Sequence, residues 1–146
     1  MATYTFSPNT RIKSNEVNMN FAENPGMYKA PTVWVPTHTG FSVNPTVVAY
    51  YAQIGKTVDI WYNTTGAGTS NAVTFTITNL PATPNISQVF ATGRVLDNGA
   101  NLTVGGRCDI AASSDTLTLY KTTEGVNNWT ASGSKAAFFH IRFTIA

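Results

Sequence analysis

Charge is what this chain has least of. Only 11% of its 146 residues are Asp, Glu, Lys or Arg, against about 25% in an ordinary soluble domain. The nine basic and seven acidic residues are scattered, leaving a net charge of +2. There is no Lys/Arg cluster, so the electrostatic footprint of a nucleic-acid binder is missing. Histidine is limited to His38 and His140, and cysteine to Cys108. A structural zinc centre needs clustered Cys and His ligands, and one cysteine allows no disulfide within the chain. No apolar run approaches the roughly 20 residues of a membrane-spanning helix. The N-terminus carries no signal-peptide h-region. The expectation is a protein with no metal, no cofactor, and neither nucleic acid nor membrane as a partner.

Catalytic constellations are equally scarce. The acids are Glu16, Glu23, Asp59, Asp97, Asp109, Asp115 and Glu124. Asp97 and Asp115 occupy turn sequences, which leaves Asp59 and Asp109 as strand residues expected to face solvent. Nothing places two carboxylates across a groove, as glycoside hydrolysis requires. His140 has no carboxylate near it in sequence and is expected to point outward from the last strand. Gly66-Ala67-Gly68 lacks the Lys-Ser/Thr of a phosphate loop and is expected to be a mobile surface loop. Cys108 fits a small buried strand residue better than a nucleophile. No catalytic residue is assigned, and the expected function is non-enzymatic.

What the chain does contain is 23 Thr, 14 Asn and a 12% share of aromatics. β-Branched and aromatic residues favour a pleated, half-buried surface. The four Asn-x-Ser/Thr sequons, at Asn63, Asn85, Asn101 and Asn128, follow from that composition. The chain is organised around Thr46 to Pro81. Val47 to Ile54 is almost wholly apolar and predicts a strand covered on both faces. Gly55-Lys56 supplies a turn. Beyond it Val58, Ile60 and Tyr62 alternate with Thr57, Asp59 and Trp61, and after Asn71 the alternation resumes with Val73, Phe75 and Ile77. Period two in such residues is an antiparallel-sheet signal.

Further strands are expected at Thr32–Val35, at Phe41–Val43 and from Val89 to Val95. Asn101–Val104, Arg107–Ala111 and Thr116–Tyr120 follow, with Asp97-Asn98-Gly99 as a tight turn. The last strand, Ala136 to Ile145, puts Phe139, Ile141, Phe143 and Ile145 on one face and Phe138, His140, Arg142 and Thr144 on the other. So many short strands with turns between them predict an all-β antiparallel sandwich, and long cross-connections point to a jelly roll. This β-sandwich domain is expected to cover 31–146.

Residues 1–30 differ from the rest. Ser14 is a suitable N-cap for a short helix over 15–23, with Glu16 in its first turn. Tyr4, Phe6, Ile12, Val17 and Phe21 are the apolar points expected to anchor this arm. They are too few for independent folding, and the arm is expected to dock onto a neighbour. Of the aromatics in the domain, Trp61 stands opposite Val58, Ile60 and Tyr62. It is expected in a subunit contact or exposed as a ligand platform, the latter suiting a glycan.

Two stretches carry a family resemblance. Asn9-Thr10-Arg11-Ile12-Lys13-Ser14 with Glu16-Val17-Asn18-Met19-Asn20-Phe21 resembles the attachment end of tailed-bacteriophage fibre and virion-surface proteins. Tyr50-Tyr51-Ala52-Gln53-Ile54-Gly55-Lys56-Thr57-Val58-Asp59-Ile60 resembles the hairpin of small phage jelly-roll head domains, and Trp129 before a closing aromatic strand fits the same pattern. The resemblance implies a homotrimeric virion protein, made in the host cytoplasm and displayed at the virion surface. Its N-terminal anchor (Tyr4, Phe6, Ile12, Val17, Phe21) would bind other virion proteins of the capsid or tail. The shaft of a fibre is missing, since only Asn24 to Pro31 joins anchor and body. That favours a capsid decoration or head-fibre protein over a tail-associated receptor-binding or adaptor protein, with a carbohydrate-binding module as a third reading. Phe138, His140 and Arg142 are the expected trimer contact, and a host-surface glycan is the expected small partner.

Overall fold

Alternation along the chain becomes a two-sheet structure through antiparallel pairing. A computed structural model describes residues 31–125 and 129–146. The arm at 1–30, with its expected helix and apolar anchor points, lies outside the described residues. Among those described, the strands are β1 (Thr32–Val33), β2 (Thr37–Thr39), β3 (Phe41–Val43), β4 (Thr46–Ile54), β5 (Thr57–Gly66), β6 (Gly68–Ser70) and β7 (Thr76–Thr78). They continue with β8 (Gln88–Ala91), β9 (Arg94–Asp97), β10 (Ala100–Asn101), β11 (Arg107–Ile110), β12 (Leu117–Tyr120) and β13 (Ser134–Thr144). The long sheet runs β1-β4-β5-β13-β6-β3, with β9 also on β13 and β10 on β9. The second sheet runs β2-β7-β12-β11-β8. Every pairing is antiparallel.

The β4–β5 hairpin is the frame. Gly55 takes φ +58, a left-handed conformation that glycine adopts without strain, and Ile54 pairs with Thr57 across the turn. β5 then lies between β4 and β13, with Ile60 opposite both Tyr51 and Ile141. Val58, Ile60 and Tyr62 of β5 and Phe139, Ile141 and Phe143 of β13 all face inward and are buried. Ile77, Cys108, Ile110, Leu117 and Leu119 of the second sheet belong to the same core. Tyr62 stacks on Phe139 at 4.7 Å with planes 3° apart. Its hydroxyl shares a hydrogen bond of 2.8 Å with His38 Nε2. Burial holds that hydroxyl's pKa above the ordinary tyrosine value and lowers the pKa of His38, so both partners favour their neutral forms. The buried indoles are satisfied as well, Trp34 Nε1 donating to Asn79 O and Trp129 Nε1 to Leu119 O. Cys108 is fully buried, and burial pushes its thiol up to about 12, as suits a packing residue.

Several local expectations change. The expected strand over Val73–Ile77 shortens to Thr76–Thr78, and Val73 is exposed. The strand expected from Asn101 to Val104 ends at Asn101. The single run expected across 89–95 divides at Thr92-Gly93, where the chain leaves the second sheet (β8 on β11) for the long sheet (β9 on β13). Gly66-Ala67-Gly68 is no surface loop: β5 reaches Gly66 and β6 begins at Gly68, which is buried. A Cβ at Gly68 would meet Phe41 Cδ1 at 2.6 Å and Val43 O at 2.8 Å, so this glycine serves close strand approach. The expected turn at Asn98-Gly99 is present, with φ +50 and +79 at the two residues, the geometry of a type I′ hairpin.

Among the described residues one charged side chain is without any exposure. Lys135, at the start of β13, is fully buried. Its Nζ donates to Ala72 O at 3.1 Å and Thr74 O at 2.7 Å and faces the rings of Phe41, Phe75 and Trp129 at 4.7, 5.8 and 5.6 Å. It thereby ties the crossover between β6 and β7 to the long sheet.

Candidate functional site

β4, β5 and β13 are the longest strands, so the residues between their buried positions form a broad outer face on the long sheet. Register sets its rows. Val33, Tyr50, Trp61 and His140 lie side by side across β1, β4, β5 and β13. Val48, Asn63, Phe138 and Arg94 form the next row, and Ala52, Asp59 and Arg142 the row on the other side. The four residues singled out from sequence in the body, Trp61, Phe138, His140 and Arg142, are therefore brought together on one face.

β4 contributes what its apolar run concealed. It was expected to be covered on both sides, yet Val48 is 42% and Tyr50 39% exposed, beside Val33 at 66%. Its inward residues Val47, Ala49 and Tyr51 pack in or against the core. Exposed hydrophobic residues grouped on one face, in contrast to ones scattered singly, point to a contact site.

The other half of the face is polar and organised around Asp59. Expected to face solvent, Asp59 is 5% exposed. Arg142 donates from Nε to Oδ1 at 2.9 Å and from Nη2 to Oδ2 at 3.1 Å, the bidentate geometry that suits guanidinium and carboxylate. His140 Nε2 lies 3.0 Å from Oδ1, so the histidine does have a carboxylate partner, from a residue 81 positions away. The His140 ring also stacks on Trp61 at 4.9 Å with planes 7° apart. Burial alone would raise the Asp59 pKa, but the hydrogen bonds and positive charge of Arg142 and His140 outweigh it and hold the carboxyl below its ordinary value. Asp97 behaves alike. Burial is again overcome, here by the Thr130 N–H and hydroxyl and by Lys121 Nζ at 3.0 Å.

Both shifts have the same sign, and so do their consequences. A carboxyl with a depressed folded pKa stabilises the fold above its unfolded pKa, and this stability is lost as pH falls through the folded value. The protein should therefore lose stability as pH drops below the ordinary carboxylate range, and Asp59→Asn and Asp97→Asn should each flatten that acid limb. Urea midpoints across the acid range check this; an unchanged limb in both variants would contradict it.

Beside this cluster the face dips into a shallow open depression of about 530 Å³, lined by Trp61, Asn63, Phe138, His140 and the 91–93 segment. Phe138 lies under the Arg94 guanidinium at 5.0 Å, and Arg94 Nε donates to Asn101 Oδ1. Among the described residues no group of three or more His, Cys, Asp or Glu is placed to hold a metal ion. Among the described residues no hydroxyl or thiol is hydrogen-bonded to the Asp59–His140 pair, and its carboxylate is held by Arg142. The arrangement is chemically suited to contact and to holding a ligand.

Comparison with known protein families, curated proteins and solved structures gives no match to this chain.

Proposed function

We propose that the chain is a non-enzymatic structural protein of a phage virion surface, acting as a homotrimer that decorates the capsid. The observation that carries this reading is the exposed Val33–Val48–Tyr50 patch on the long sheet. β4 has no ionisable acid or base along its length apart from tyrosine phenols. At a threefold axis the same patch of each copy converges, and an uncharged patch meets there without repulsion or ion desolvation. Of the contact expected from sequence, Arg142 then borders this patch, while Phe138 and His140 stay at the open β13 margin. The sandwich would be wired as a jelly roll, a reading consistent with repeated passage of the chain between the sheets.

In this proposal residues 1–30 are the foot on other virion proteins, held through Tyr4, Phe6, Ile12, Val17 and Phe21. Full-length protein carrying Val17→Asp and Phe21→Asp should keep its trimeric mass and no longer co-sediment with particles. Full occupancy of the double variant would overturn the foot. The second reading, a short tail-associated receptor-binding or adaptor protein, draws on the depression beside Trp61. Copy number in purified virions separates the two, since decoration requires hundreds of copies and a tail part far fewer.

A further inference from the structure

We propose that the depression between β13 and the 91–93 segment is a subsite for a neutral pyranoside, such as one residue of a surface polysaccharide. This extends the display role and rests on it only in leaving the β13 margin open in the assembled trimer. Three features define the ligand. First, the walls are planar: His140 backed by Trp61 at 4.9 Å, and Phe138 backed by the Arg94 guanidinium at 5.0 Å. Planar rings favour the C–H face of a sugar ring, whose burial is hydrophobic while its hydroxyls stay at the rim.

Second, hydrogen-bonding groups are within the lining. The Asn63 amide is exposed between Val48 and Phe138, and among the described residues its side chain has no hydrogen-bond partner. Third, the one carboxylate beside the depression is held by cations, Asp59 by Arg142 and His140, while Arg94 donates from Nε to the neutral Asn101 and covers Phe138. A neutral sugar leaves these contacts as they are, whereas an acidic one would compete with Asp59 for Arg142 and His140. The volume, about 530 Å³, lies within the roughly 300–1,000 Å³ range of small-molecule sites.

Gly93 offers a way to close the subsite without disturbing the fold. It lies in the lining, and a Cβ there would meet only Phe138 O, at an ordinary 3.6 Å. The test is saturation-transfer NMR and tryptophan fluorescence on full-length protein. The probes are maltotriose, cellotriose, mannotriose and chitotriose, with sialyllactose as the acidic counterpart. At least one neutral trisaccharide should saturate with a Kd between about 0.1 and 10 mM, as expected of a shallow site. Phe138→Ala and Gly93→Leu should each weaken it about tenfold or more, with the trimeric mass unchanged. Should Phe138→Ala fail to fold, Gly93→Leu decides alone. The Tyr50→Asp variant, designed to separate subunits, should still bind, so loss of the trimer and loss of the subsite are distinguishable. No saturation by any neutral trisaccharide, preference for sialyllactose, or full binding by folded Gly93→Leu would each overturn the proposal.

Discussion

Phe75→Ala should lower stability by about 3 to 5 kcal/mol, the range for removing a large aromatic from a packed core. Phe75 is fully buried and precedes β7, where the chain enters the second sheet. Its ring meets Phe41 edge-on at 4.8 Å and Trp129 at 5.3 Å, contacts worth more than their buried area alone. It also forms one wall around Lys135. Truncation opens a cavity and brings the ammonium next to empty space, so the loss should fall at the upper end of that range. Thr76→Ala, one residue on, makes the control. Thr76 is half-buried on the outer side of the second sheet, beside Thr39 and Thr118, and its truncation should cost under about 1 kcal/mol. Urea midpoints of both variants measure the contrast; equal losses would mean that the outer side of the second sheet is also packed.

The second large effect is at Lys135. Lys135→Ala removes a buried side chain that fills space among three rings and leaves the Ala72 and Thr74 carbonyls without their donor. A cavity and two unsatisfied acceptors together should cost about 3 to 5 kcal/mol. Lys135→Met should cost less, because it keeps the volume and sets a thioether against the rings. The ionisation of Lys135 supplies a separate signature. Burial pushes its pKa down to about 8, with Asp97 opposing the shift weakly from a distance. The unfolded chain keeps the ordinary value of 10.5. Between those values the unfolded state binds more protons, so stability should rise with pH from about 8 toward 10.5. Below about 8 the group is charged in both states and the slope disappears. Lys135→Met should abolish this alkaline rise; a rise of equal size in the variant would show that other groups cause it.

The β5 and β13 faces were legible because period-two alternation names the buried side directly. Val58, Ile60 and Tyr62, like Phe139, Ile141 and Phe143, lie inward as expected. β4 was not legible in the same way. An unbroken apolar run looks alike whether its second side packs within the chain or is exposed, and Val48 and Tyr50 prove exposed. The candidate site was half visible: Trp61, Phe138, His140 and Arg142 were each placed outward, but their meeting depends on the order β4-β5-β13. No local pattern encodes that order, so the Asp59 pairing with His140 and Arg142, more than 80 residues apart, stayed hidden. Lys135 escaped because lysine is ordinarily exposed; its burial follows from the rings of Phe41, Phe75 and Trp129 converging on it. The only local clue was the apolar run that begins one residue later.

The claim that copies of the chain meet on the Val33–Val48–Tyr50 patch is tested most directly by sedimentation equilibrium. The samples are the full chain and its Val48→Asp/Tyr50→Asp variant. The wild type should sediment at three times the 15.7 kDa chain mass, and the variant, with its β-sheet circular dichroism intact, at the mass of one chain. A wild type that stays monomeric at tens of micromolar, a concentration well above the Kd of a stable interface, or a variant that remains trimeric, would contradict the account.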